Sequence, residues 1–346
     1  MKAPFPYFGG KSSIAHEVWS RFGDVPNYVE PFAGSLAVLL SRPSEPRIET
    51  VNDLDGLLSN FWRAIQADPE AVARWADWPV NENDLHARHA WLVQRKESLQ
   101  SQIEGDPDFF DAKIAGWWVW GTCAWIGSGF CSGNGPWQQV DGLLVNTSGN
   151  AGQGINRNLP HLGDAGQGIN RKRPHLGTAG QGINRKLPHL GTAGQGINRK
   201  RENLIETFQE LSDRLRNVRV CCGDWSRVCG PSATFKHGLT GVFLDPPYAD
   251  TASRTKDLYR QDCFQVAHDV RRWAVENGGN LLLKIALCGY EGEHEMPSDW
   301  ECFRWKARGG FGSQGEGRGR KNAARECIWF SPACIQADLF ACEATR

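Results

Sequence analysis

The sequence predicts an α/β protein built on a doubly wound, mostly parallel sheet. Three observations predict it. Short apolar runs read as buried strands and end at an acid or a glycine turn. Helical periodicity fills the stretches between them. The 346 residues are 40% hydrophobic and 23% charged, which suits a sizeable globular core.

The elements follow in chain order. Tyr28-Val29 enters a first strand, followed by a glycine turn and a helix-like run over 35–40. Residues 48–51 form a second strand ending at Asn52-Asp53, and a helix is expected over 55–66. Residues 70–126 read as largely helical and carry Trp75, Trp78, Trp91, Trp117, Trp118, Trp120 and Trp125. The tryptophans of 117–125 are expected in the core rather than against nucleobases. A helix over 203–216 places Leu204, Phe208, Leu211 and Leu215 on one face. Strands are expected at 218–222, 241–244 and 280–287, with a helix over 263–277 before the last, and 326–330 reads as a final strand. Strands alternating with helices imply crossover connections and a parallel sheet. The tryptophan-rich helices and the segment after them form a large insertion between the second and third strands.

That segment is an internal repeat. Ala151-Gly-Gln-Gly-Ile-Asn-Arg recurs from Ala165, Ala179 and Ala193, a period of 14 residues. Glycine in every unit, and proline in the first three, favour turns and short extended pieces over helices. The repeats are strongly basic. Residues 151–201 carry nine Lys or Arg against one acid, Asp164, so they hold a charge of +8 in a chain whose formal charge is zero. Such a block suits contact with a polyanion, or a loop kept soluble by its charge. In the first case Arg157, Arg171, Lys172, Arg185, Lys186, Arg199 and Lys200 are the candidate phosphate contacts.

Other classes are set aside. No apolar run reaches the roughly 18–20 residues of a membrane span, and the N-terminus has no apolar signal core. The 11 cysteines include no CxxC pair, which suits reduced thiols in a cytoplasmic protein with no metal site. There is no GxGxxG or GxxxxGK[ST], so a nicotinamide cofactor or a P-loop is not expected.

Candidate chemistry gathers at strand ends, where doubly wound sheets bind ligands. Glu30-Pro31-Phe32-Ala33-Gly34 follows the first strand, Asn52-Asp53 the second and Gly223-Asp224 the third. Each acid suits a ribose or an adenine, or else caps a helix. The sharpest motif is Asp245-Pro246-Pro247-Tyr248, directly after the strand at 241–244. Two prolines fix the backbone and remove two donors. Asp245 and the Pro246 carbonyl can then accept from one exocyclic amine, and Tyr248 offers a flat face for a base.

These pieces together resemble the Dam-type, D12-class DNA adenine-N6 methyltransferases. The resemblance rests on Pro6-Tyr-Phe-Gly-Gly-Lys11, Tyr28-Val-Glu-Pro-Phe-Ala-Gly34-Ser35, Val51-Asn-Asp53, Gly223-Asp224 and residues 245–248, in that order. It covers about residues 4–66 and 204–250, and weakly 112–137. It implies a Rossmann-like methyltransferase sheet and S-adenosylmethionine as cofactor. Tyr7, Gly10, Lys11, Glu30, Phe32, Ala33 and Gly34 would line that cofactor, Asp53 would hold its ribose and Asp224 its adenine. Asp245, Pro246, Pro247 and Tyr248 would hold an adenine flipped out of double-stranded DNA. In this chain Leu36 stands where the family often has a second glycine. The repeats lie outside the family pattern.

The expected organisation is a catalytic domain of residues 1–66 and 204–346, with 67–203 as a target-recognition insertion. A monomer is expected. Competing readings are an N4-cytosine or RNA amino methyltransferase, and a non-catalytic DNA-binding protein on the same scaffold. Deleting residues 165–192 is expected to weaken DNA binding and flatten its salt dependence, as read from affinities over a salt series; unchanged binding would make the repeats a spacer.

Overall fold

In the computed structural model, the residues described are 1–7, 9–125, 130–131, 137–140, 143–146, 201–248, 258–305 and 325–335; side chains of 137–146, 201–203, 258–264 and 335 are not described. The repeats, with every basic residue assigned to them as a phosphate contact, lie outside the described residues.

The main sheet has seven strands. They are β1 (Asn27–Glu30), β2 (Ile48–Asp53), β5 (Val218–Cys222), β6 (Thr240–Leu244), β7 (Leu283–Tyr290), β8 (Glu301–Arg304) and β9 (Glu326–Phe330). Their spatial order is β5-β2-β1-β6-β7-β9-β8. The first five strands in that order pair in parallel, while β9 runs antiparallel to both β7 and β8. The remaining strands, β3 (Trp137–Val140) and β4 (Leu143–Asn146), pair as an antiparallel hairpin. The order reverses at β1, between β2 and β6, which is where a doubly wound sheet opens a crevice at its carboxyl edge.

Side-chain alternation along β6 sorts the two faces. Phe243 faces a core built with α1 (Ala15–Phe22), α2 (Gly56–Ala67), α3 (Pro69–Ala76), α4 (Glu82–Gly105), α5 (Ala112–Ala124) and α6 (Arg201–Leu215). Val242 and Leu244 face the opposite core, built with α7 (Leu258–Asn277). The helix starts are specified locally. Asp55, Asp68, Asn81 and Asp111 cap α2, α3, α4 and α5 by accepting from backbone N–H groups. None of the helices is long and apolar enough to cross a membrane, among the described residues.

Several expectations shift. The run at 35–40 is not an α-helix: Leu36 has φ 54°, which breaks helical geometry, and only a 3₁₀ turn forms at Leu39–Ser41. β7 starts at Leu283 rather than 280, because Asn280 closes a turn onto the N–H groups of Leu282 and Leu283. It continues to Tyr290 because β9 pairs with it there. α7 begins at Leu258, five residues before the expected start. Helix α1, strand β8 and the hairpin have no counterpart in the sequence reading.

The tryptophans build the α3–α5 part of the core. Trp118, Trp120 and Trp125 are buried and Trp117 packs against them. Arg88 lies 4.3–5.0 Å from the ring centres of Trp78, Trp117 and Trp120, and Lys113 faces Trp75, Trp91 and Trp117. Cations over indole faces let these helices bury charge among rings.

A second buried charge cluster fixes α6 to the sheet. Glu49 of β2, 2% exposed, accepts from Arg42 at 3.1 Å and from two nitrogens of Arg214 at 2.7 and 2.9 Å. Arg214 also reaches the Leu39 carbonyl at 3.1 Å. Replacing Glu49 by Ala leaves two guanidinium groups short of their carboxylate. The expected loss is about 3–5 kcal/mol of unfolding free energy, measured by urea denaturation.

Candidate functional site

The carboxyl edge of the sheet collects the candidate residues from five chain segments. Asn52 organises it. The Asn52 amide donates to the Pro31 carbonyl at 3.1 Å and to the Gly223 carbonyl at 2.9 Å. Its own carbonyl accepts from Ala33 N–H at 2.8 Å. Asp53 extends the pattern: its carboxylate accepts from Gly34 N–H at 3.1 Å and Asp55 N–H at 3.0 Å. Asp53 therefore does not cap α2, a task that falls to Asp55. Burial raises the Asp53 carboxyl to about 6, against the lowering effect of those N–H groups.

The loop after β1 is shaped to leave room. Gly34 has φ 47°, and a Cβ there would meet the Tyr7 ring at 2.9 Å. Tyr7 thus lies directly over the glycine and stays 40% exposed. Burial, then Asp53, Asp55 and Asp245, hold its hydroxyl in the protonated form. Leu36 takes the left-handed conformation that a glycine would favour, yet its side chain is fully buried. Glu30 is buried beneath the same loop and accepts from the Tyr28 hydroxyl at 2.9 Å. Burial pushes its carboxyl up to about 8, aided by the charge of Asp245, so it is mostly protonated near neutrality.

On the β5 side, Asp224 is exposed and caps the 3₁₀ turn Trp225–Val228 through Ser226 N–H at 2.9 Å. Trp225 stacks on Phe32, with ring centres 6.3 Å apart and planes 26° apart. Leu54, 71% exposed, stands next to Asp53. Sequence reading missed Trp225 and Leu54, whose only signal is adjacency to the two acids.

The motif at 245–248 forms the other half. Lys11 Nζ lies 2.9 Å from Asp245 Oδ2 and donates to the Gly9 carbonyl at 2.7 Å. The Tyr248 hydroxyl donates to Asp245 Oδ1 at 3.0 Å. Tyr248 packs edge-to-face on Tyr290, with ring centres 4.7 Å apart. Burial opposes the Lys11 charge, but Asp245, Cys288 and Glu326 together outweigh it and keep the ammonium above its usual range. Pro246 is buried and Pro247 exposed. Lys11, grouped by sequence with Tyr7 and Glu30, thus contacts Asp245. Glu326, Cys288 and Tyr290 also line this half and carried no sequence signal.

The geometry therefore has two adjoining parts. One is a glycine-lined cradle with a carboxylate at the end of β2 and two stacked rings. The other is a proline-fixed carboxylate beside a lysine and a tyrosine. Residues 7–102 match the family described as D12 class N6 adenine-specific DNA methyltransferase. That match makes this part of the chain similar to the D12 class. The matched segment contains Tyr7, Lys11, Glu30, Gly34 and Asp53, while Asp224 and residues 245–248 lie beyond it. DNA adenine methylation is the general activity of the D12 class. No curated protein matches the chain.

Should Asp53 take hydroxyl donors from a ligand, its ionised form is the acceptor. Ligand affinity is then full above pH 6 and falls as pH drops through about 6, by up to about tenfold per unit. Calorimetric titration with S-adenosylmethionine over pH checks this, and Asp53→Asn should remove the slope along with much of the affinity.

Proposed function

We propose that the protein transfers the methyl group of S-adenosylmethionine to N6 of an adenine in double-stranded DNA. The observation that carries this reading is the Asp245–Tyr248 hydrogen bond on a proline-fixed turn, at the same sheet edge as the Gly34–Asp53 cradle.

The cradle fits a nucleoside-bearing cofactor. A side chain at Gly34 would fill the space against Tyr7, and Asp53 offers a buried acceptor for vicinal hydroxyls. Tyr7, Gly10, Glu30, Phe32, Ala33 and Gly34 would line it, with Asp224 and Trp225 at the adenine end. When bound, the cofactor supplies a methyl group already activated on a sulfonium.

The chain's task is then mainly positioning, which carries much of such a barrier. Asp245 and the Pro246 carbonyl would accept the two N–H bonds of the target amine, aiming the nitrogen lone pair at the methyl carbon. Tyr248, bonded to Asp245 at 3.0 Å, fixes the carboxylate and presents its ring to the base. On transfer from the sulfonium, the positive charge would pass to the amine nitrogen held at Asp245. Asp245 stabilises that charge, and the proton leaves the nitrogen for solvent. Extruding the base costs a few kcal/mol, which contacts in the pocket must offset.

The basic repeats fit the same reading as contacts to the duplex. Arg157, Arg171, Lys172, Arg185, Lys186, Arg199 and Lys200 supply positive charge at regular intervals. The insertion of 67–203 is proposed as the target-recognition part.

The test is incubation with labelled S-adenosylmethionine and unmethylated duplex DNA, followed by digestion and mass spectrometry of the nucleosides. N6-methyladenine is expected. N4-methylcytosine would overturn the substrate, and no methylated nucleoside would overturn the reaction. Asp245→Ala should lower turnover by about 10²–10³-fold or more while cofactor affinity changes little.

A further inference from the structure

Lys11 has two carboxylates within reach. Its Nζ is 2.9 Å from Asp245 Oδ2 and 4.0 Å from Glu326 Oε2. All three side chains are mostly shielded, at 4% exposed for Lys11, 21% for Asp245 and 12% for Glu326. Glu326 opens β9 and pairs with Tyr290, the residue that closes β7. Because β9 runs against its neighbours, its first residue reaches the edge where the other strands end.

Glu326 Oε2 is buried and has no hydrogen-bond partner. A buried carboxylate oxygen left without a bond is costly, so the arrangement calls for a reason. The groups that face it are Lys11, Asp245, Tyr248 and Cys288. Burial keeps the Tyr248 hydroxyl and the Cys288 thiol protonated, which leaves one ammonium between two carboxylates.

We propose that Glu326 is a positioning residue for the transfer: it takes up Lys11, so that Asp245 keeps an unneutralised carboxylate for the amine. This rests on the reading of Asp245 as the acceptor for the amine. With both acids ionised, the trio carries a charge of −1; without Glu326 the Lys11–Asp245 pair is neutral. Methyl transfer delivers a positive charge to the nitrogen at Asp245, so the extra negative charge favours the step. Asp245 Oδ2 now accepts from Lys11, and Oδ1 from Tyr248. When an amine takes Oδ2, Lys11 closes the gap to Glu326 and satisfies Oε2.

The experiment compares wild type, Glu326→Gln and Glu326→Asp for turnover on duplex DNA, cofactor affinity and melting temperature. Glu326→Gln should lower kcat by about 10- to 100-fold, less than a group touching the reacting atoms. Its cofactor affinity and melting temperature should match wild type. Glu326→Asp should recover most of kcat. An unchanged kcat in Glu326→Gln, with wild type active, overturns this proposal alone. So does a loss that tracks melting temperature and that Glu326→Asp does not recover. If Glu326→Gln fails to fold, a folded Glu326→Asp that has lost as much kcat as Asp245→Ala overturns it as well. A wild type that methylates no nucleoside overturns the parent reading, and this one with it.

Discussion

The side chains of Asn52 and Asp53 tie together the carboxyl ends of three neighbouring strands. The Asn52 amide bridges the turns after β1 and β5, and Asp53 captures the N–H of Gly34. All of these bonds lie among mostly buried groups, where each unmade bond would carry its full desolvation cost. The cradle formed by Tyr7, Gly34 and Phe32 has its shape because these two residues hold the loops apart and in register. Trp62 adds a fourth attachment by donating to the Gly34 carbonyl at 3.1 Å. A shift of β2 along its neighbours would therefore move every part of the cradle together.

Among the described residues, three clusters of buried charge are each handled differently. Glu49 is surrounded by two arginines and gains bidentate geometry from one of them. Arg88 is set among indole rings, which add a polarisable surface to the charge of Asp84, and burial lowers its affinity for a proton. Lys11 stands between two acids at the sheet edge. The first two clusters bind helices to the sheet or to each other. The third adjoins the proline-fixed turn, and only there does a polar atom of the cluster's acids lack a partner.

The parts of the fold legible in the sequence were those set by local pattern. The β5 and β9 runs were read at their observed bounds, and α2, α6 and β6 within a residue or two, because apolar spacing and a terminal acid mark them. β8 was not legible: its burial is partial along its length, and its existence depends on pairing with β9. The run at 35–40 has helical composition, but a backbone angle at Leu36 overrides it. At the site, residues within recognisable motifs were legible as candidates. Their grouping was not, since Lys11 reaches Asp245 across more than two hundred residues of chain. Glu326 was invisible for a topological reason: it opens its strand, whereas ligand-facing acids of parallel strands follow theirs.

Leu36 places two demands on one position. Its backbone favours a residue without a Cβ, and its side chain is wholly enclosed by the core around α1 and α2. Glycine would relax the first and empty the second; a branched side chain would fill the space and worsen the first. The position is therefore tied to its neighbours in an evolutionary sense. A change there survives only when accompanied by repacking beneath it, so a single step to glycine passes through a less stable protein.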